Sequence, residues 1–173
     1  MDIGYKVKTM KNQGITLIEL IIVISIIGIL AVALGFEFRG WMGSYRVESQ
    51  TKEMYVDLMN ARARAMQRNR PHFVGLVNNQ YSIFEDVNEN GSPDAAEILP
   101  TFPKSINYNI QWNGAGSQIT FDTRGLATTE RTICTSSTVN PDYDCIEISF
   151  TRINMGQIIP RGGACNATNC IAK

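Results

Sequence analysis

A single carboxylate, Glu19, lies within a largely apolar run that extends from Ile15 to about Phe36. A lipid-facing charge at this depth costs roughly 3 kcal/mol on insertion scales, so an acid here requires a partner. The segment before the run, residues 1–14, holds three lysines against one aspartate and ends at Gly14. Two partners are open to Glu19: a cation from elsewhere, or the amides at the N-terminus of its own helix.

The apolar run is long enough to be a transmembrane helix. Residues 15–36 number 22 and form a helix of about 33 Å, which spans the hydrocarbon core of a bilayer. A secretory signal peptide has a shorter apolar core and a small-residue cleavage site on its far side. The lysines before the run predict a cytoplasmic N-terminus and an exported remainder. A plain single-pass anchor explains the length and the lysines, but it assigns no purpose to Gly14 or Glu19.

The residues Gly14-Ile15-Thr16-Leu17-Ile18-Glu19-Leu20 resemble the class III signal of type IV pilins and pseudopilins. The resemblance implies that a prepilin peptidase removes residues 1–14 as a leader, cleaving between Gly14 and Ile15 and methylating the new amine of Ile15. It also implies that Glu19 pairs with the amine of a neighbouring subunit during assembly. Ile15 departs from the phenylalanine that is usual at this place. We expect that change to be tolerated, because processing depends more on Gly14.

Later blocks of the sequence are similar to the GspH/FimT minor pseudopilins. These blocks are Arg62–Pro71, Asp86–Gly91, Ile119–Gly125 and Ile146–Phe150. The resemblance implies a structural subunit that initiates or caps a type IV pilus or a type II secretion pseudopilus. Its partners would be the prepilin peptidase, other pilins through the N-terminal helix, and the inner membrane before assembly. The alternatives are a DNA-binding minor pilin that acts as a receptor in DNA uptake, or a major filament subunit.

The helix is predicted to continue beyond the membrane as an amphipathic segment over residues 37–70. Apolar and small side chains recur there at steps of three and four, which places them on one face. They are Val47, Thr51, Met54, Leu58, Ala61 and Ala65, widened by Tyr55, Met59 and Met66. Pro71 lacks an amide donor and restricts Arg70, so the helix is predicted to end near Asn69. Glycines at positions 35, 40 and 43 predict a bend or local melting.

After Pro71 the pattern changes from helix to strand. His72–Val77 and Gln80–Glu85 flank Asn78-Asn79, a pair that suits a tight hairpin. Further strands are predicted at 106–112, 118–122, 128–135, 145–152 and 157–159, with a turn at residues 154–156. Consecutive short strands with short turns favour an antiparallel sheet. The expected fold is therefore α+β and pilin-like, with a long N-terminal helix packed on a β-rich periplasmic domain of residues 71–173.

The loop from Asp86 to Glu97 has the spacing of a calcium-binding loop. Oxygen-bearing side chains recur in it, with glycine at the sixth place for the sharp turn: Asp86, Asn88, Asn90, Ser92, Asp94 and Glu97. A strand rather than a helix leads into the loop, which differs from an EF-hand. The alternative is a solvated loop, for which this composition is also typical. Calcium is the one possible cofactor, and the predicted function requires none.

Four cysteines, Cys134, Cys145, Cys165 and Cys170, all lie in the portion predicted to be exported. An oxidising compartment permits disulfides. Nearness in sequence favours the pairs 134–145 and 165–170, although four cysteines allow three pairings. A zinc site is less favoured, because no CxxC pair is present and the lone histidine, His72, is far away in sequence.

Basic residues cluster at the predicted end of the helix. Arg62, Arg64, Arg68 and Arg70, together with Arg161 in the tail, are the candidate contacts for DNA phosphate. The alternative is that arginines at a helix C-terminus complement the helix dipole. Without residues 1–14 the chain keeps 13 basic and 15 acidic residues, so its net charge provides no overall attraction for nucleic acid.

Residues that could perform catalysis are scarce. The sequence contains neither a nucleophile elbow nor a phosphate-binding loop. Its one histidine, His72, is predicted to lie on an edge strand beside Pro71. The sequence therefore predicts that the protein is not an enzyme.

Overall fold

The computed structural model describes residues 14–173, apart from the side chains of residues 34–39. Most of the predicted leader, residues 1–13, lies outside this described part. The chain divides at Gly40 into two compact units. The first unit contributes the N-terminal part of the long helix, and the second contains the rest of that helix and the β-structure.

The long helix, α1, extends from Leu17 to Arg68 without interruption. The local melting expected at the three glycines is therefore wrong as a prediction of secondary structure. The helix ends as predicted: Asn69 adopts a left-handed conformation with φ of 52°, and the amide of Arg70 bonds back to the carbonyl of Ala65 at 3.2 Å. This arrangement satisfies a terminal carbonyl before Pro71 turns the chain away.

In the first unit, every side chain from residue 15 to residue 33 is exposed. Its apolar residues include Ile15 and Ile29, which are 79% and 72% exposed. Within the described part of the chain, no helix combines the length and the apolarity that a membrane crossing needs. The predicted segment 15–36 reaches into residues 34–39, whose side chains lie outside the described ones.

The described part of the second unit contains nine strands and one short 3₁₀ helix, Ala95–Glu97. The strands are β1 (His72–Val77), β2 (Gln80–Glu85), β3 (Lys104–Ser105), β4 (Ile110–Trp112), β5 (Gln118–Phe121), β6 (Arg131–Thr135), β7 (Cys145–Ile148), β8 (Ile153–Ile158) and β9 (Cys170–Ala172). They form two sheets, with strand orders β3-β2-β1-β5 and β4-β6-β7-β8-β9, and every pairing is antiparallel. The single sheet expected from the sequence is thus corrected to two.

The hairpin of β1 and β2 forms as predicted, with Val77 opposite Gln80 across the two-asparagine turn. His72, however, is fully buried in a central strand, because β1 lies between β2 and β5. The edge position predicted for it is wrong. Its Nδ1 lies 3.1 Å from the carbonyl oxygen of Arg70, and burial lowers the pKa of its imidazole.

The predicted turn at residues 154–156 is also wrong, since these residues lie inside β8. The chain turns earlier, where the amide of Ser149 bonds to the carbonyl of Arg152 at 2.9 Å. Gly156 instead permits close packing, because a β-carbon there would collide with the backbone carbonyl of Ile171 in β9.

The core of the second unit lies between α1 and the sheets. All six predicted positions of the main helical stripe are buried: Val47, Thr51, Met54, Leu58, Ala61 and Ala65. Met59 and Met66, which were expected to widen the stripe, are 38% and 48% exposed. Four of the six pack with strand residues such as Val74, Ile119 and Ile133 in one continuous cluster: Met54, Leu58, Ala61 and Ala65. Burial of this face, rather than helix propensity, holds α1 against the sheets.

Replacing Leu58 with alanine should destabilise the fold by about 2–5 kcal/mol, because a fully buried leucine leaves a cavity. Chemical denaturation followed by near-UV circular dichroism measures the loss. The neighbouring Met59→Ala is the matched control, because its side chain is 38% exposed. Equal losses in the two variants would contradict the assignment of the packing face.

Candidate processing and assembly site

Glu19 closes a capping box at the start of α1. Its Oε2 accepts hydrogen bonds from the amide of Thr16 at 2.9 Å and from the hydroxyl of Thr16 at 2.8 Å. The amide of Glu19 in turn donates to the Thr16 hydroxyl oxygen at 3.3 Å. A threonine followed three residues later by a glutamate forms this reciprocal arrangement, which satisfies amides that have no partner within the helix. The sequence predictions did not include Thr16, although this spacing could have identified it.

The predicted cleavage point lies immediately before this cap. Gly14, Ile15 and Thr16 precede the first helical residue, so the Gly14–Ile15 bond lies in non-helical backbone. Gly14, Ile15 and Glu19 line one open groove together with Ile22 and Val23. The structure therefore brings the predicted scissile bond and the assembly carboxylate to the same surface.

Within the described part of the chain, Glu19 bonds its own helix N-terminus, which is one of the two partners considered from the sequence. Both of these bonds use Oε2, and Oε1 accepts no hydrogen bond from any described residue. The amine of a neighbouring subunit, the other partner considered, forms only after cleavage. It therefore stays a prediction.

Replacing Thr16 with alanine should loosen the first turn, since loss of such a cap costs about 0.5–2 kcal/mol. We expect amide hydrogen exchange at residues 17–20 to accelerate about fivefold in detergent micelles. Ser25→Ala is the control, because the Ser25 hydroxyl bonds the Ile21 carbonyl at 2.7 Å within the helix. Unchanged exchange in Thr16→Ala would show that the cap does not hold this turn.

Asp86 organises the loop predicted to bind calcium. Its side chain is buried, with the residue 2% exposed, and both carboxylate oxygens accept backbone amides. Oδ1 accepts from Asn90 at 3.1 Å and Oδ2 from Gly91 at 3.0 Å. Gly91 has φ of 73°, so the glycine at the sixth place serves the sharp turn as predicted.

The other oxygens of the loop lie near Asp86. Glu97 Oε1 accepts the amides of Val87 and Asn88 at 2.8 and 3.0 Å, while its Oε2 is buried without a hydrogen-bond partner. Asp94 Oδ2 accepts the side-chain amides of Asn88 and Asn90, each at 2.8 Å. The amide of Ser92 bonds to Asn90 Oδ1 at 2.8 Å. No group of three or more His, Cys, Asp or Glu side chains among the described residues is arranged to hold a metal ion.

All four cysteines form disulfides, but the pairing favoured by nearness is wrong. The bonds join Cys134 to Cys165 and Cys145 to Cys170, with Cα–Cα distances of 5.8 and 6.0 Å. Cys134 and Cys145 are register partners on β6 and β7, and each reaches the C-terminal segment instead of the other. Because β9 pairs with β8 in the same sheet, the tail is brought beside both strands. The spacing of the cysteines along the sequence does not indicate that the C-terminal segment lies beside β6 and β7.

Replacing Cys134 with serine should free the thiol of Cys165, whereas the pairing by nearness would free Cys145. Maleimide labelling followed by peptide mapping distinguishes the two results. The double variant Cys134→Ser with Cys165→Ser should lose about 3–4 kcal/mol of stability, the value expected for a loop of this length. Labelling at Cys145 in the single variant would contradict the observed connectivity.

Three of the five arginines proposed for DNA contact are held in ion pairs. Arg68 pairs with Glu85, and Arg70 lies 3.8 Å from the same carboxylate. Arg161 pairs with Asp144 at 2.7 Å and donates to the carbonyl of Pro141 at 2.6 Å.

The two remaining arginines of the set differ from each other. Arg64 is exposed, while the Nε of Arg62 is buried without a hydrogen-bond partner. Most of the cluster therefore has a structural partner, and the geometry does not favour a role in binding DNA.

Arg131 is a structural residue that the sequence predictions did not include. It is 5% exposed, and its guanidinium donates to backbone carbonyls of the loop before β5. The acceptors are Asn113, Ala115, Gly116 and Gln118, at 2.8–3.4 Å. The only signal in the sequence was a charged residue within an otherwise strand-like segment.

A polar cluster joins α1 to the first sheet. Asp57 accepts the hydroxyl of Tyr81 at 2.6 Å and the ammonium of Lys104 at 2.6 Å, and Lys104 also bonds Glu53 at 2.9 Å. Burial and the neighbouring Asp57 raise the pKa of Tyr81 well above its ordinary value. This cluster fixes the helix against β2 and β3.

The fold and the N-terminal site define a pilin-like subunit. The fold is similar to that of the type IV minor pilin FimU of Pseudomonas aeruginosa, whose crystal structure is 19% identical and superposes with a TM-score of 0.51. The match covers 66% of this chain and 91% of that one. A second crystal form of FimU is 22% identical, with a TM-score of 0.49, and covers 62% and 90% of the two chains. No curated protein sequence matches this chain.

The family models agree with this class. The model for the type II transport protein GspH matches residues 50–151, so the chain belongs to the GspH family. The prokaryotic N-terminal methylation motif matches residues 9–35, which contain Gly14, Ile15 and Glu19. The predicted resemblance and the α+β pilin-like fold are confirmed, and the chain is a minor pilin or pseudopilin. This family and fold are those of structural pilins rather than enzymes, and they imply processing by a prepilin peptidase and contacts with other pilins.

Proposed function

We propose that this minor pilin or pseudopilin initiates or caps a filament of a type IV pilus or a type II secretion system. One observation carries the proposal: α1 begins with a capped, carboxylate-bearing turn and then exposes all its described side chains as far as residue 33. An apolar helix surface of this extent is stable in water only when other groups cover it. Lipid covers it before assembly, and the helices of neighbouring subunits cover it afterwards.

The order of events follows from the chain. Residues 15–36 enter the inner membrane with the N-terminus in the cytoplasm, where the prepilin peptidase cleaves after Gly14 and methylates Ile15. The second unit then lies in the periplasm, an oxidising compartment in which the two disulfides persist. Because lipid already covers these side chains, transfer into a filament gains no hydrophobic free energy, and van der Waals packing between helices and polar contacts between them must favour it.

Pairing of Glu19 with the amine of a neighbouring subunit sets the axial offset between subunits. Cleavage creates a cationic amine at Ile15, and an unpaired charge in a low-dielectric bundle of helices is strongly disfavoured. Glu19 can keep its cap through Oε2 and accept the amine of a neighbouring subunit through Oε1. Subunits that stack with the wrong axial offset leave both charges unpaired.

Replacing Gly14 with alanine should leave a longer, membrane-held precursor, because the match to the methylation motif makes processing depend on the glycine before the cleaved bond. Intact mass measurement of the purified protein detects the retained leader. Gly28→Ala is the matched control, because it makes the same change within α1, where a β-carbon meets open space. Normal processing of Gly14→Ala would contradict the cleavage site.

Replacing Glu19 with alanine should allow processing but reduce incorporation into filaments at least about tenfold, as expected for loss of a charge pair in low dielectric. Quantitative immunoblotting of sheared filaments measures incorporation, and an initiating or capping subunit should be scarce there relative to the major subunit. Glu130→Gln, which changes an exposed carboxylate of the second unit, is the control. Wild-type incorporation of Glu19→Ala would refute the intersubunit pair.

A further inference from the structure

We propose that the loop of residues 86–97 is a calcium site. Its ligands are the side-chain oxygens of Asp86, Asn88, Asn90, Asp94 and Glu97, with the backbone carbonyl of Ser92 at the seventh place of the loop. These positions reproduce the spacing of a twelve-residue calcium loop with glycine at the sixth place. The loop belongs to the second unit, whereas Gly14, Ile15 and Glu19 belong to the first.

The buried carboxylate of Glu97 offers an unpartnered oxygen to a cation. The residue is 8% exposed, and its Oε2 is buried with no donor. The other oxygen of the same carboxylate accepts two amides of the loop, so this carboxylate lies against the loop. A buried anionic oxygen without a donor is costly, and a cation bound in the loop removes that cost.

The remaining ligands already converge. The amide nitrogens of Asn88 and Asn90 meet at the same oxygen of Asp94, each at 2.8 Å. Rotation of each amide about its last side-chain bond brings oxygen to nearly the place of nitrogen, and it gives up the bonds that Asn88 Oδ1 and Asn90 Oδ1 accept from the amides of Asn90 and Ser92 at 3.0 and 2.8 Å. Three oxygens would then surround one point, an arrangement that repels without a cation and is stable with one. Binding therefore exchanges the amide bonds to Asp94 for bonds to the ion.

The frame of the loop is rigid, which limits the entropy lost on binding. The amide of Asp86 bonds to the carbonyl of Pro71 at 3.0 Å, and the amide of Leu99 bonds to the carbonyl of Ile83 at 2.9 Å. The chain thus enters and leaves the loop from fixed positions on the first sheet. Asp86 itself is oriented by two backbone amides. A preorganised set of this kind holds a ligand more tightly than a flexible loop.

The ligand chemistry selects calcium. All the donors are hard oxygens, with neither histidine nor cysteine in the loop, and their irregular spacing suits the flexible coordination of calcium better than the octahedron of magnesium. Two of the ligands are neutral asparagines, so we expect a dissociation constant of about 0.1–1 mM, as in extracellular modules.

The site is tested by titrating calcium into the protein from which the leader has been removed, held in detergent micelles. Calorimetry measures the binding. We expect saturable binding of one ion per chain, a rise in the thermal midpoint with calcium, and its reversal by chelator. Magnesium at the same concentration should compete weakly. Absence of saturable binding at calcium concentrations of about 10 mM, well above the expected range, would overturn the proposal.

Substitutions in the loop test which residues bind the ion. Glu97→Gln keeps an oxygen for the two loop amides, and Asp94→Asn changes a partly exposed residue, so both should fold while weakening binding at least about tenfold. Glu89→Gln is the matched control, because it removes an exposed charge from the same loop at a place that holds no ligand. Near-UV circular dichroism confirms folding. Equal weakening in all three variants, or none in the first two, would refute a coordinated site.

Discussion

Contact between one face of α1 and the two sheets is the interaction on which the second unit depends. Leu58, Ala61 and Ala65 are almost completely buried there, and the small alanines allow the strands to approach the helix closely. The polar cluster around Asp57 and the pairing of Arg68 with Glu85 flank this contact and orient it. The same helix carries a different surface in its first part, where apolar side chains are exposed. A single continuous helix therefore supplies both a buried face that packs on the β-structure and an exposed apolar surface.

Local features of the fold could be predicted because short-range physics determines them. The stripe from Val47 to Ala65 follows helical periodicity, Pro71 ends the helix, and the two asparagines after Val77 permit a tight turn. The N-terminal site is equally local, since Gly14, Thr16 and Glu19 are separated by only a few residues. The calcium-type spacing of residues 86–97 is also a local feature. The structure shows that Asp86 and Gly91 form the expected turn.

Other features could not be predicted because they depend on which strands become neighbours. Alternating burial specifies one face of a strand but not its partners, so one sheet was expected where two form. For the same reason, His72 was predicted at an edge and Gly156 in a turn. In the structure β5 pairs beside His72, and β9 packs against Gly156. The cysteines show it most clearly, since β9 returns beside β8 and brings Cys165 and Cys170 to strands far from them in sequence. Pairings of this kind become visible only in three dimensions.

The return of the chain beside β8 completes the second sheet. β9 follows every other strand of that sheet along the chain, and the segment that ends in it supplies Cys165 and Cys170. Until those residues arrive, β8 presents an open edge and the thiols of Cys134 and Cys145 stand opposite each other on adjacent strands. A temporary bond between these two thiols would have to be reshuffled. The final connectivity thus depends on the return of residues 165–172, which brings Cys165 and Cys170 to the thiols of β6 and β7.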